Sequence, residues 1–334
     1  ISYLAPLKAD GTPFTTSYAS AYINGFDSTS TKVNLASEYQ PTFGFQPKSS
    51  HCYAKHPDID TGSDSSKKFS DSEAKVSAYY YLFKSGGTGC TGTDINTKNE
   101  ACYVYTAVTA AEQQNFANWY SFYRTRNLTT VSAATRAFNN LPSTMRLAWQ
   151  SLSSCNDFSS ATCKGWDDVS KDHRIRALST SHKQNFYDWM VKLPANGGTP
   201  LRAALGRVGE YFSTASGTNN PYAEDPQVAV GTQHSCRANY TIMMTDGIWN
   251  GGAASKGTGN VDNTAKTLPS SPGPDGATSY IPPAYTPIAP YADANSDSLA
   301  DVAFYYWAND LRTDLVNNVV RSPSSFDRLV EEGK

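Results

Sequence analysis

Two oxygen-bearing residues stand where a ligand would meet them. Asp246 closes the run Asn-Tyr-Thr-Ile-Met-Met-Thr-Asp at 239–246, and Gly247 follows. Ile242, Met243 and Met244 form a short apolar run without helical spacing, bounded by an Asp-Gly turn signal. That predicts a strand buried on both faces, near the middle of an α/β sheet. Ligands of open α/β sheets sit just beyond the carboxyl ends of the strands, which makes the position of Asp246 functional. Alone, an Asp-Gly pair is an ordinary strand-ending turn. The second residue, Thr199, shifts the balance. Asn196-Gly-Gly-Thr-Pro-Leu-Arg opens a predicted helix, with Thr199 at the N-cap and Pro200 at the first helical position. Leu201, Leu205, Val208 and Phe212 form its apolar stripe. Together the segments supply a loop hydroxyl and a strand-end carboxylate.

Other chemistries find little support. No G-x-S-x-G, H-E-x-x-H or phosphate-binding glycine motif occurs. A secreted hydrolase is the weakest of the functional readings, resting only on composition, and the chain reads as a non-enzyme. His51-Cys-Tyr-Ala-Lys-His56 offers zinc-type ligands, but an even number of cysteines without a C-x-x-C pair favours disulfides. The six are Cys52, Cys90, Cys102, Cys155, Cys163 and Cys236. Sequence alone allows fifteen pairings. Cys155–Cys163 and Cys90–Cys102 would each close a polar loop, which leaves Cys52 with Cys236. Such bridges imply an oxidising compartment.

The elements that must hold these residues can be read in outline. The 334 residues carry a net charge of −2 with 17% charged side chains, below the roughly 25% of average soluble chains. No basic patch stands out, which argues against nucleic acid as a partner. No apolar run reaches the roughly 18 residues of a membrane span, and no signal peptide is seen, so an export signal would be removed or lie outside these residues. Residues 1–110 read as a loop-rich, decorated region with short tyrosine-rich pieces. Thr109-Ala-Ala-Glu112 is a capping box that predicts one long helix to about residue 140, with Phe116, Trp119, Tyr120, Tyr123 and Val131 at helical spacing. Met145–Leu152 predicts a strand and His182–Leu193 an amphipathic helix. Residues 250–297 read as a long surface loop, within which Asp293-Ala-Asn-Ser-Asp has only the opening of a calcium loop and reads as a polar lead-in to a helix. Ser298-Leu-Ala-Asp301 caps that helix, predicted over Ser298–Val320. Residues 111–320 thus carry the α/β core segments of one domain spanning 1–334.

Several separated blocks, in order, resemble a known family. Lys8-Ala-Asp-Gly-Thr-Pro, Phe-Tyr-Arg-Thr-Arg, Asn-Gly-Gly-Thr-Pro-Leu-Arg, Ile-Met-Met-Thr-Asp-Gly-Ile-Trp-Asn and Leu-Ala-Asp-Val-Ala-Phe-Tyr-Tyr-Trp are similar to the N-terminal region of PilY-type type IV pilus tip proteins. The resemblance covers most of residues 1–320. It implies a von Willebrand factor type A (vWA) domain, a Rossmann-type layered sheet with helices on both faces, here with large loop-rich insertions. It also implies a metal-ion-dependent adhesion site, in which a D-x-S-x-S loop, a threonine and an aspartate hold Mg2+ or a similar hard cation such as Ca2+. By position Thr199 is the threonine and Asp246 the aspartate. Asp27-Ser-Thr-Ser-Thr31 matches the letters of the first motif through Asp27, Thr29 and Thr31. Asn24-Gly25 interrupts the stretch before it and no long helix follows, so it reads as a chance match in a Ser/Thr-rich chain. In the family the first strand lies ahead of the segment corresponding to residue 1, which makes the expected metal site incomplete, and a C-terminal β-propeller follows. The implied role is pilus-tip adhesion and pilus assembly, with minor pilins and a host or abiotic surface as partners. The implied location is the periplasm in transit, then the outer surface. The alternative is a structural cap that binds minor pilins without metal.

Overall fold

The structure is a computed structural model that describes residues 1–39, 76–93, 99–152, 173–193, 198–215, 220–225, 231–235, 237–245, 247–272, 279–280 and 284–316. It is mixed helix and strand. Every described strand pair is antiparallel and two-stranded. The chain divides into two compact units, Ile1–Asn140 and Leu141–Lys334.

In the first unit, β1 (Ala21–Tyr22) pairs with β2 (Lys32–Val33), and β3 (Tyr79–Phe83) with β4 (Tyr103–Ala107). Tyrosines recur at alternate positions of the second hairpin, so Tyr79, Tyr81 and Tyr105 gather on one face with ring centroids 4.7–6.2 Å apart. Tyr79 turns inward to join Tyr18, Leu35, Tyr39, Phe116 and Tyr120, the core of this unit. The Tyr39 ring meets Tyr79, Phe116 and Tyr120 edge-on. The Cys90–Cys102 disulfide closes the loop between β3 and β4, as the sequence suggested, with Cα atoms 4.6 Å apart. Cys52, Cys155, Cys163 and Cys236 lie outside the described residues.

The long helix expected from Thr109 is two helices, α1 (Gln113–Phe122) and α2 (Arg126–Asn139). The break is written in residue types that helical spacing does not weigh. Thr125 adopts an extended backbone, and its hydroxyl accepts a hydrogen bond from the Leu128 N–H, an N-cap in mid-stripe. The buried Ser132 hydroxyl donates to the Phe122 carbonyl at 2.6 Å, satisfying the end of α1. At the other end of α1, the Glu112 carboxylate accepts from both the backbone N–H and the hydroxyl of Thr109.

The second unit carries α3 (Thr180–Val191), α4 (Leu201–Phe212) and α5 (Leu299–Ala308), with β5 (Arg146–Leu147) on β6 (Arg176–Ala177) and β7 (Ser271–Pro272) on β8 (Ser279–Tyr280). The expected strand over Met145–Leu152 is therefore a two-residue ladder. The Ser298–Asp301 capping box forms with both reciprocal bonds, but α5 ends at Ala308 rather than running on. There the Asn309 side chain donates to the Tyr305 carbonyl. Helices α4 and α5 pack through a notch at Gly209. The Tyr306 ring occupies the space a Cβ at Gly209 would fill, and its hydroxyl donates to the Gly206 carbonyl at 3.0 Å.

The central strand expected at 239–246 is not there. Residues 239–245 form no strand and are unpaired among the described residues, and Ile242 is 82% exposed. A three-residue apolar run has the composition of a buried strand, but composition does not supply a neighbouring strand. Without a ladder on either side both its edges and its faces meet solvent.

With so little ladder, backbone carbonyls of this unit are met by arginines. Arg146 donates to the carbonyls of Ile175, Ala223 and Glu224, and Arg237 to those of Tyr222 and Ala223. Arg312, only 4% exposed, donates to the Thr214 carbonyl, Asn220 and Gln233 and forks onto both oxygens of Asp314. Its guanidinium also lies 5.1 Å from the Tyr222 ring centroid. A lysine has one nitrogen for these partners. Arg312→Lys is expected to lower the unfolding free energy by more than about 2 kcal/mol, read from urea titration, because several charge-assisted bonds are lost at once. A second expectation concerns alkali. Burial pushes the Tyr39 hydroxyl from its ordinary pKa of 10.0 up to about 12, with Tyr79 and Tyr120 adding to the effect. The folded state therefore holds that proton more tightly than the unfolded chain does. The resulting stability is complete below pH 10 and is lost as pH rises toward 12. Tyr39→Phe should shrink the alkaline drop in stability, followed by circular dichroism across that interval.

Candidate functional site

The site is built where the start of α4 meets the segment just after Asp246. Asn250 is the clamp. Its side-chain oxygen accepts from the Thr199 N–H at 2.9 Å, and its own N–H donates to the Thr199 carbonyl at 3.1 Å. The geometry needs glycine on both sides. A Cβ on Gly198 would stand 2.7 Å from the Asn250 side-chain oxygen. Gly251 has φ +93°, and a Cβ there would press on Pro200 at 2.8 Å. Arg202, the second residue of α4, completes the joint. Its guanidinium stacks 4.4 Å from the Trp249 ring centroid and donates to the carbonyls of Asp297 (2.6 Å) and Gly251 (3.3 Å).

This joint brings together the two segments singled out in the sequence. Asp246 itself lies outside the described residues, but Asn250, four positions on, is bonded to Thr199. Thr199 is not the N-cap that its place before Pro200 suggested. Helix α4 begins at Leu201, Pro200 is the capping residue, and no side-chain cap bond forms. The Thr199 carbonyl instead accepts from both Leu201 and Asn250. Its hydroxyl is half-buried and has no hydrogen-bond partner among the described residues. An uncommitted hydroxyl beside a strand-end segment suits a hard cation, which takes oxygen ligands and keeps several waters. Among the described residues, no three His, Cys, Asp or Glu side chains converge as a metal set.

Asp27, Thr29 and Thr31 are occupied locally. They sit in the connection between β1 and β2, where one Asp27 oxygen accepts from the Thr29 N–H (2.9 Å) and hydroxyl (2.6 Å). Those bonds hold the exposed Asp27 carboxyl below its ordinary pKa. The Thr31 carbonyl accepts from Ile23. This is a self-satisfied turn.

Around the clamp the surface is apolar and open. Ile248 is 92% exposed and Trp249 41%. A cleft of about 330 Å³ lies at the far ends of α4 and α5, lined by Glu210, Lys256, Tyr306 and Asp310 among others. Burial pushes the Tyr306 hydroxyl up to about 12, so at neutral pH it is a neutral hydrogen-bond donor. Asn250, Arg202 and Trp249 were not singled out as site residues by sequence reading. Their signal was the Trp-Asn-Gly-Gly stretch, in which Asn-Gly marks a turn that must dock on something.

Comparison with known proteins gives a consistent outcome. The chain is 39% identical over 304 residues to the type IV pilus biogenesis factor PilY1 of Pseudomonas aeruginosa strain PAO1, across 90% of its own length. The PilY1 of strain PAK matches at 39% over 91% of this chain, and that of strain UCBPP-PA14 at 40% over 72%. This chain is similar to one region of PilY1. It spans 23% of the length of the PAO1 factor. No family model matches, and no solved structure does.

The clamp generates a paired expectation. Thr199→Ala removes a hydroxyl that caps nothing, so unfolding free energy should change by no more than about 0.5 kcal/mol. Asn250→Ala strips the Thr199 N–H of its acceptor and should cost about 1 kcal/mol or more. Urea titration of both variants checks the ordering.

Proposed function

We propose that this chain acts in type IV pilus biogenesis as a tip-associated adhesion and assembly region, non-enzymatic, exported through the periplasm and displayed outside the cell. The observation that carries the reading is the shelf of Ile248 and Trp249 held beside Thr199 by the Asn250 clamp, in a chain similar to PilY1. Exposed apolar side chains backed by a rigid polar joint are what a protein or surface ligand docks on. In this reading the binding region is vWA-like, and Thr199 with Asp246 contributes to a Mg2+ or Ca2+ site that a carboxylate of the ligand completes. The uncommitted Thr199 hydroxyl supports the metal.

A second reading is favoured by the same shelf. Ile248 and Trp249 can bind minor pilins without any metal, which makes the region a structural cap. Both readings are tested by placing Ile248→Asp and, separately, Thr199→Ala in the whole factor of a piliated bacterium, then counting surface pili and adherent cells. The first reading expects adherence to fall about tenfold or more with Ile248→Asp, as loss of an interface anchor does. It also expects a comparable fall with Thr199→Ala or with chelation. Loss with Ile248→Asp alone, indifferent to Thr199→Ala and to chelator, selects the cap. Normal pili and normal adherence in both variants overturn the proposal.

A further inference from the structure

Among the described residues, a buried carboxylate in the second unit accepts no hydrogen bond. Asp262 is 1% exposed, and neither side-chain oxygen meets a hydrogen-bond donor among the described residues. Its backbone is fixed: the carbonyl accepts the Tyr285 hydroxyl at 2.5 Å. The charged groups that act on it are Asp301 and Asp293, both acidic, and they reinforce burial in raising its pKa above the ordinary carboxylate value. The Asp293 backbone N–H, near the carboxylate but outside hydrogen-bond geometry, is the smallest influence and the one that opposes them. Ionised groups are not left bare in protein interiors; they take a proton or a counter-ion.

The surroundings separate the roles of the acids. Asp301 is completely buried, and its oxygens are used. One accepts the N–H of Val261 and, more weakly, of Asp262, and the other accepts the N–H and hydroxyl of Ser298. It is a structural acid that caps α5. Asp293 is exposed, and one of its oxygens accepts from the Asn295 N–H at 2.6 Å. Asp262 is thus the buried acid without a hydrogen bond, and Asp293 the exposed acid whose charge reaches it. The loops that carry them are pinned together. Asp297, at φ 58°, exchanges bonds with the Gly259 backbone, and the Asn260 side chain donates to the Asp293 carbonyl.

We propose that Asp262 is the inner ligand of a hard-cation site of the calcium type, formed where residues 257–263 meet 291–301, with the Asp293 carboxylate closing it on the solvent side. A cation there answers the bare buried charge directly. Calcium suits the place because it accepts six to eight oxygens in irregular geometry and mixes carboxylate with carbonyl and water. Mg2+ demands a near-ideal octahedron that two loops of irregular backbone do not offer. The site shares no residue with the Thr199 joint and does not depend on the reading of that joint.

The test is calorimetric titration of CaCl2 into the chelator-stripped 334-residue chain, with Tm followed in parallel, for the parent, Asp262→Asn, Asp293→Asn and Thr199→Ala. The expected result is a calcium equivalent that raises Tm in the parent and in Thr199→Ala and is absent from Asp262→Asn. Asn is isosteric and uncharged, so this variant should fold without calcium. If it does not fold, Asp293→Asn decides the matter from the surface, with calcium affinity expected to weaken about tenfold as a ligand charge is removed. Equal binding by parent and Asp262→Asn overturns the proposal, as does unchanged affinity in Asp293→Asn. A parent that binds no calcium and shows no rise in Tm also overturns it, and Asp262 is then simply a neutral acid.

Discussion

The second unit depends on guanidinium-to-carbonyl hydrogen bonds. Backbone carbonyls taken from water must be paired, and here only two short ladders are present among the described residues to pair them. Arg146, Arg237 and Arg312 take over that work. The three converge on the stretch 220–224 from positions far apart in sequence, so one irregular turn becomes the point on which β5, β6 and the segment after α5 are tied. A planar group with five donors can satisfy several carbonyls whose directions no strand would align. Regular structure is thereby made unnecessary over a long part of the chain, and extended, polar loops become tolerable.

The same economy explains the site. Thr199 is not positioned by a helix cap but by Asn250, whose side-chain oxygen accepts and whose backbone N–H donates across the joint like one rung of a ladder. Because Asn250 satisfies the backbone of Thr199, the hydroxyl is released for other partners. Arg202 does the corresponding work for Trp249, holding an aromatic ring at the surface with its flat face covered by a cation. Polar bonds within the protein orient the groups that face outward, and the apolar surface they display is left for a ligand.

How much of this was legible in the sequence follows from what each signal measures. Capping residues speak through local hydrogen bonds, so the Ser298–Asp301 box was readable, and the apolar spacing of Phe186, Trp189 and Met190 placed α3 to within a few residues. Cys90 and Cys102 were readable because a short polar loop between two cysteines has few other ways to close. The break between α1 and α2 was missed because the hydrophobic stripe continues through it, while the decision is made by one threonine taking an extended backbone. The strand at 239–246 was misjudged for the converse reason. Its composition fits a buried strand, but burial is decided by neighbours, and neighbours are not encoded in eight residues. Thr199 and the segment of Asp246 were singled out from separate clues, and the residue that joins them, Asn250, was hidden because amide clamps have no periodicity. Asp262 was invisible for a similar reason. Nothing in Gly-Asn-Val-Asp-Asn says that its carboxylate is buried while Asp301, 39 positions on, takes the donors.

The notch on α4 carries a consequence for how such sequences diversify. Gly209 has no room for a methyl group so long as the ring of Tyr306 lies against the helix, and the tyrosine hydroxyl is anchored one turn away on the Gly206 carbonyl. The two positions therefore form one steric unit written at two places in the chain. A homologue that acquires a side chain at the first must shrink or relocate the ring at the second, whereas an exchange of tyrosine for phenylalanine keeps the fit and forfeits only the hydroxyl bond. Substitutions here are correlated by geometry, and the order in which they arise is constrained: the ring has to go first.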